Sequence, residues 1–267
     1  MTFNWLSIPA LLGAYILFFL AFHCSGNLKS PKALLLWSAL CLVLAVPGLL
    51  IAFFYTRIIE IPAWFYEFRS WTGSELTAAG VGLLGGTLAF LSTKTRRLKI
   101  ISTSGLLLIM TLGVFLPYSK PLIAGAEFDK FHDRWDGQCS MQSTGYSCGA
   151  ASCATILKYY GLHASEIEIA KDCYTYNGGT EVWYLARYVR KNGLKAQFLS
   201  LKIPSADIPV PCIAGVKVGG VGHFIAILEK SDKGYLVADP LVGPRFKDIE
   251  KPSPDLMFTG FFMKITD

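Results

Sequence analysis

Charge is what the first part of this sequence lacks. Of 267 residues, positions 1–118 carry three Asp or Glu and eight Lys or Arg, whereas 119–267 carry sixteen and seventeen. Nearly all of the net charge of +6 therefore sits in the uncharged-looking part, and the basic balance is no argument for a nucleic-acid partner. No GxxxxGK followed by Ser or Thr occurs, so no phosphate loop signals a bound nucleotide. No CxxC or HxxxH spacing occurs either, which leaves a metal reading of Cys148, Cys153 and His223 without support and no cofactor to expect. The second part is long enough for one domain with a core, but not for that domain plus an ATPase.

What is present instead is apolar length. With 52% apolar residues and a mean hydropathy of +0.43, the chain is too hydrophobic for an ordinary soluble protein. Four stretches, roughly 4–23, 33–55, 75–92 and 100–117, can each cross a hydrocarbon layer of about 30 Å. The first lacks the basic start of a signal peptide and another apolar run follows closely, so it reads as a retained helix. Cys24 follows Phe22 and His23 rather than a lipoprotein cleavage pattern, and is given no role.

Lys29, Lys32, Lys94, Arg96, Arg97 and Lys99 lie in the first and third connecting loops, against Arg57 and Arg69 in the second. By the positive-inside rule those two loops are cytoplasmic, and with four spans both termini are outside. The third stretch, with Gly80, Gly82, Gly85 and Gly86, is only marginally hydrophobic. Were it not to span, the C-terminal part would change sides unless the N-terminus flipped too. Gly82 and Gly86 form a GxxxG spacing that suits close helix packing within or between chains, or are small residues tolerated at random. Residues 61–71, with Trp64, Phe65, Tyr66, Phe68 and Trp71, read as an aromatic segment at the outer interface. Apart from Glu75 at an end, no ionisable residue lies inside a span, which argues against a transporter.

The expected organisation is a four-span region at 1–118, a linker at 119–137 and a soluble domain at 138–267. A helix is predicted from Cys148 to Gly161 with Ser147 as N-cap, and a second at about 180–191. Strands are predicted at 196–201, 212–218, 223–228, 235–238 and 258–264, the third and fourth as a hairpin. Helices followed by antiparallel strands imply an α+β fold.

Cys148 at a helix start is placed where the helix dipole and free N–H groups stabilise a thiolate nucleophile. Gln142, six residues earlier, can reach back to form an oxyanion hole with the Cys148 backbone N–H. His223 opens a strand after Gly219-Gly220-Val221-Gly222, where missing side chains leave an imidazole accessible as base. If Leu228 pairs with Tyr235, His223 comes opposite Asp239 or Pro240, so Asp239 is a cross-strand or diagonal neighbour able to orient the imidazole. His132 and His163 have no such context and read as surface residues. Each residue alone has a bland reading, as a core cysteine, a turn aspartate or a solvated glutamine. Their joint order and spacing do not.

Gln142-x5-Cys148-Gly149-Ala150-Ala151, Tyr160-Gly161, Gly179-Thr180, Ile208 to Ala214, Gly222-His223-Phe224-Ile225-Ala226-Ile227 and Gly234-Tyr235-x3-Asp239-Pro240-x2-Gly243 together resemble the peptidase C39 family of papain-like, double-glycine-type cysteine peptidases. The resemblance covers about 138–245. It implies a papain-like cysteine peptidase domain with Cys148, His223 and Asp239 as triad, Gln142 at the oxyanion hole, and a protein or peptide substrate. Many members are N-terminal, cytoplasmic domains of ABC exporters. Here the domain follows four apolar stretches and no ATPase accompanies it.

The expectation is a multi-pass bacterial membrane cysteine peptidase with an extracytoplasmic domain and the lipid bilayer as its second partner. Alternatives are a Cys-dependent acyl transferase or amidase, or a receptor that binds a peptide without cutting it. Cys139, Cys153, Cys173 and Cys212 could form two disulfides outside an oxidising membrane, or Cys153 and Cys212 could be small core residues.

Overall fold

The computed structural model describes residues 2–56, 58–92, 95–201, 207–248 and 256–267. Arg57 and Lys94, which enter the orientation argument, lie outside them. In chain order the helices are α1 (Ser7–Asn27), α2 (Pro31–Tyr55), α3 (Ala63–Ser70), α4 (Val81–Leu91), α5 (Arg96–Ile123), α6 (Cys148–Tyr159), α7 (Glu166–Asp172) and α8 (Val182–Lys191). The strands are β1 (Arg134–Asp136), β2 (Cys139–Met141), β3 (Lys195–Ser200), β4 (Cys212–Val218), β5 (Val221–Ser231), β6 (Gly234–Asp239), β7 (Gly243–Lys247) and β8 (Met257–Thr266). The chain forms two compact units, one of residues 3–61 and 72–120, the other of 62–71 and 121–267.

The first unit contains four helical segments long and apolar enough to cross a membrane: Ser7–Asn27, Pro31–Tyr55, Ser74–Leu91 and Arg97–Ile123. The third begins as a 3-10 turn at Ser74–Gly80 before becoming α4, and α5 runs on through Pro117 and Pro121. Small side chains lie inside this unit: Ala10, Ala14, Ala21 and Ala45 are fully buried, while Leu35, Leu36, Ile16 and Ile109 are exposed. That is the inverse of a water-soluble bundle and suits packing in an apolar solvent, where close backbone approach does the work. A Cβ on Gly82 would stand 2.0 Å from the Ala14 carbonyl oxygen, and one on Gly86 2.0 Å from that of Phe18. The GxxxG spacing thus serves packing of α4 on α1 within the chain. Glu75 is buried and accepts a hydrogen bond from Asn4 Nδ2 at 3.0 Å.

The second unit is α+β. Six strands form one antiparallel sheet in the order β3-β8-β4-β5-β6-β7. One face packs against α6, α7 and α8 through Ile156, Leu157, Ile169, Leu185 and Val189 with Ile213, Ala226 and Met263 from the sheet. The other face has its own core of Val216, Ile225, Ile227, Tyr235, Val237 and Phe262. Every residue of α6 from Cys148 to Leu157 is buried, which its run of Gly, Ala and Ser permits. α7 is announced by Ser165 and Glu168, which form a reciprocal capping box. In the aromatic segment at 61–71, α3 belongs to the second unit and Phe65 is 2% exposed, while Trp64 and Trp71 are 55% and 60% exposed.

Candidate active site

α6 starts at Cys148 because the loop before it is held in place. Ser147 occupies the N-cap position, but its hydroxyl makes no capping bond and instead donates to Thr144 O and accepts from Thr144 N. Glu166 holds the same loop by accepting both the N–H and the hydroxyl of Ser143. At the far end, Gly161 closes the helix at φ +73°. The Cys148 side chain is thereby presented from the first turn, with the residue 8% exposed.

His223 arrives from the sheet. Gly219 and Gly220 both have positive φ, +56° and +83°, and make the two-residue turn that a β4–β5 hairpin requires. A Cβ at either, or at Gly222, would meet nothing within 4 Å, although the His223 ring itself is only 9% exposed. The β5–β6 register differs from the expected one. Ala226 pairs with Ala238 and Ile227 with Val237, and an irregularity between Ile227 and Glu229 absorbs one residue. In that register Asp239 falls across from Ile225, and His223 is its diagonal neighbour. His223 Nε2 lies 2.8 Å from Asp239 Oδ1. Cys148 stands near enough to favour the charged imidazole as well.

The electrostatics follow from this line of three. Burial opposes a charged imidazole, but the hydrogen bond to Asp239 and the negative charge of Asp239 and Cys148 outweigh it, raising His223 from 6.5 to about 9. Burial likewise works against the Asp239 carboxylate, yet the His223 bond, the Leu241 N–H at 3.0 Å and the Arg245 guanidinium at 3.4 Å hold its pKa below the usual range. Arg245 was not foreseen because β7, on which it pairs with Val237, is short and polar.

Gln142 stands differently. Its side-chain Nε2 donates to Thr144 O at 3.0 Å, and its Oε1 is buried without a partner. Its backbone N–H donates to Pro240 O at 2.9 Å, tying this loop to the residue after Asp239. The structure therefore bonds His223 directly to Asp239, sets Cys148 near enough to act on the same imidazole, and brings Gln142 to the same loop system through its backbone. All seven cysteines are free thiols, so the disulfide alternative is not realised, and Cys153 and Cys212 are fully buried core residues. His132 and His163 are exposed.

A helix carrying cysteine at its first turn, facing a sheet that supplies histidine and a carboxylate, is the arrangement of a papain-like cysteine peptidase. The comparisons agree, and the chain belongs to the peptidase C39 family, whose profile matches residues 137–263. An uncharacterized protein of Methanothermobacter marburgensis is 35% identical over 102 residues, spanning 38% of this chain and 70% of that one. The probable functional amyloid protease FapD of Pseudomonas aeruginosa is 27% identical over 111 residues, 38% of this chain and 49% of FapD. Among solved structures, the peptidase domain of Streptococcus ComA, a bi-functional ABC transporter involved in a quorum sensing pathway, covers 47% of this chain and 95% of its own at 18% identity and a TM-score of 0.41.

Proposed function

We propose that this protein is a membrane-bound cysteine peptidase that hydrolyses peptide bonds in exported or membrane-associated proteins or peptides. The observation that carries the reading is the His223–Asp239 hydrogen bond beside Cys148 at the N-terminus of a buried helix. The Cys148 sulfur attacks the scissile carbonyl and forms a C–S bond. The oxyanion is held by the Cys148 backbone N–H and by the Gln142 Nε2 hydrogen that is not given to Thr144. His223 gives its proton to the leaving amine as the C–N bond breaks. Water then attacks the thioester, His223 takes its proton, and the acid and the free thiol are released.

A peptide or protein substrate is in keeping with the description of FapD as a probable functional amyloid protease. The four apolar helices are read as spans, and the basic side chains of the first and third loops support a catalytic domain outside the cytoplasm. Residues 1–118 without α3 are then the four-span region, and 138–267 the body of the peptidase domain. The test is Cys148→Ala in the full chain, with processing of the natural substrate followed by mass spectrometry. Loss of both cleavage fragments is expected, and unchanged fragments would end the proposal. A product carrying an amine adduct in place of two fragments would point to acyl transfer instead.

A further inference from the structure

The family profile begins at residue 137, yet the peptidase unit contains a segment far outside it. α3 comes from the loop between the second and third apolar helical segments, and it is bonded into the catalytic fold rather than resting on it. Arg190 donates to Glu67 Oε1 at 2.6 Å, to Ser70 Oγ at 2.6 Å and to the Ala196 carbonyl at 2.7 Å. Arg187 donates to the carbonyls of Arg69 at 2.7 Å and Trp71 at 2.8 Å, which close off the end of α3. The Arg69 guanidinium lies 5.2 Å over the Trp183 ring, and Arg69 is only 2% exposed. So buried an arginine, stacked over an aromatic ring, marks a designed contact and not a loop that happens to touch a surface.

Two contact paths run from α3 to the nucleophile. Through α8, the helix that Arg187 and Arg190 attach to α3, the path reaches Leu185. Through rings, Tyr66 lies 4.9 Å from Phe261, and Phe261 lies 5.9 Å from Phe224, the residue after His223. Both end at Gly149, the residue after Cys148, where a Cβ would stand 3.3 Å from Leu185 and 3.4 Å from Phe224. Phe224 is also tied to α6 by its carbonyl, which accepts the Ser152 hydroxyl at 3.1 Å.

We propose that the loop joining the second and third apolar segments is a working part of the peptidase: α3 clamps α8 and the β3–β8 edge behind the nucleophile. The catalytic role rests on the peptidase reading above. A second consequence does not. Because α3 is packed inside the catalytic unit, residues 62–71 and 121–267 lie on one side of the bilayer. The chain between them must cross an even number of times. α5 is long and apolar enough to cross, so Ser74–Leu91 crosses as well, despite its glycines.

The topology is tested in sealed vesicles of the full chain with Cys24→Ser and Cys148→Ala, adding Thr72→Cys, Ser92→Cys or Asp232→Cys singly and labelling with a membrane-impermeant maleimide. Thr72→Cys and Asp232→Cys react from the same side and Ser92→Cys from the other. Reaction of Thr72→Cys and Asp232→Cys from opposite sides overturns the docking of α3, whatever the enzyme does. The clamp is tested by charge exchange in the active chain. Glu67→Arg and Arg190→Glu each lower processing by about tenfold, and the double exchange recovers most of it. The size of the recovery, measured alongside the rate of Cys148 alkylation, reads positioning rather than folding. Single exchanges that leave processing unchanged, or a double exchange no better than the worse single, overturn the clamp.

Discussion

His223 Nε2 and Asp239 Oδ1 are 2.8 Å apart, and the same carboxylate also takes the Leu241 N–H and faces Arg245. Asp239 is therefore oriented by two donors besides the histidine that it orients, and one of its oxygens is committed to the imidazole. Asp239→Asn keeps the size of the side chain but can present an amide where the ring N–H needs an acceptor. Turnover is expected to fall by about 10²–10⁴-fold, with the larger part in kcat. A fall of less than threefold in steady-state kinetics would remove Asp239 from the mechanism.

The pH dependence follows from the same pair. His223 binds its proton more tightly in the folded protein, at about 9 against 6.5. Its contribution to stability is therefore complete below about pH 6.5 and is lost as pH rises through about 9. Asp239 is shifted the other way, so its contribution holds above the ordinary carboxylate value of 3.8 and is lost as pH falls through its lower folded value. Activity should decline on the alkaline side near pH 9, and in Asp239→Asn that limb should move to lower pH. A profile of kcat/KM on both proteins checks it, and an alkaline limb unmoved by the substitution contradicts the assignment.

Cys148 is expected to be the one soluble-domain thiol that reacts readily. Burial pushes Cys139 and Cys153 up to about 12 and raises Cys173 and Cys212 as well, and all four are at most 1% exposed. In a Cys24→Ser chain, a limiting dose of a thiol-reactive electrophile should give a single adduct that disappears in Cys148→Ala. Prior reduction should change nothing, because none of the cysteines is paired. Adducts spread over several cysteines by intact mass would contradict both the burial and the activation of Cys148.

Gln142→Ala should lower kcat by about 10²–10³-fold with little change in KM, as loss of an oxyanion donor does. The Thr144 carbonyl already takes one of its two amide hydrogens, so the geometry leaves one for the substrate. Comparable losses in kcat and KM would instead mean that Gln142 only supports the loop through its backbone bond to Pro240.

The parts of this site that were legible in the sequence are those set by local chemistry. Small residues after Cys148 require a buried helix, Gly219-Gly220 requires a tight hairpin, and strand alternation brings Asp239 within a residue or two of His223. The register itself was missed because nothing in the residues around Leu228 announces the irregularity that shifts β5 against β6. β7 was missed because Gly-Pro-Arg-Phe-Lys has neither apolar alternation nor length, and with it went Arg245. α7 could have been read from Ser165 and Glu168 as a capping box. The place of α3 could not, since Glu67 and Arg190 are 123 residues apart and only the folded sheet brings them together.

The glycines of α4 give a prediction that does not involve the site. A Cβ at Gly86 would stand 2.0 Å from the Phe18 carbonyl oxygen and 3.0 Å from the Phe22 nitrogen, both rigid backbone atoms that cannot rotate away. Gly86→Ala must therefore push α1 and α4 apart, at a cost of about 1–3 kcal/mol, and Gly86→Ile more. Gly105 and Gly113 on α5 are the controls, since a Cβ at either meets nothing within 4 Å. Alanine there should be neutral or stabilising by up to about 1 kcal/mol, because glycine is the weaker helix former. Thermal unfolding of the full chain in detergent separates the two pairs. If Gly86→Ala melts no lower than Gly113→Ala, α1 and α4 do not meet backbone to backbone, and the GxxxG spacing has to be reassigned to contacts between chains.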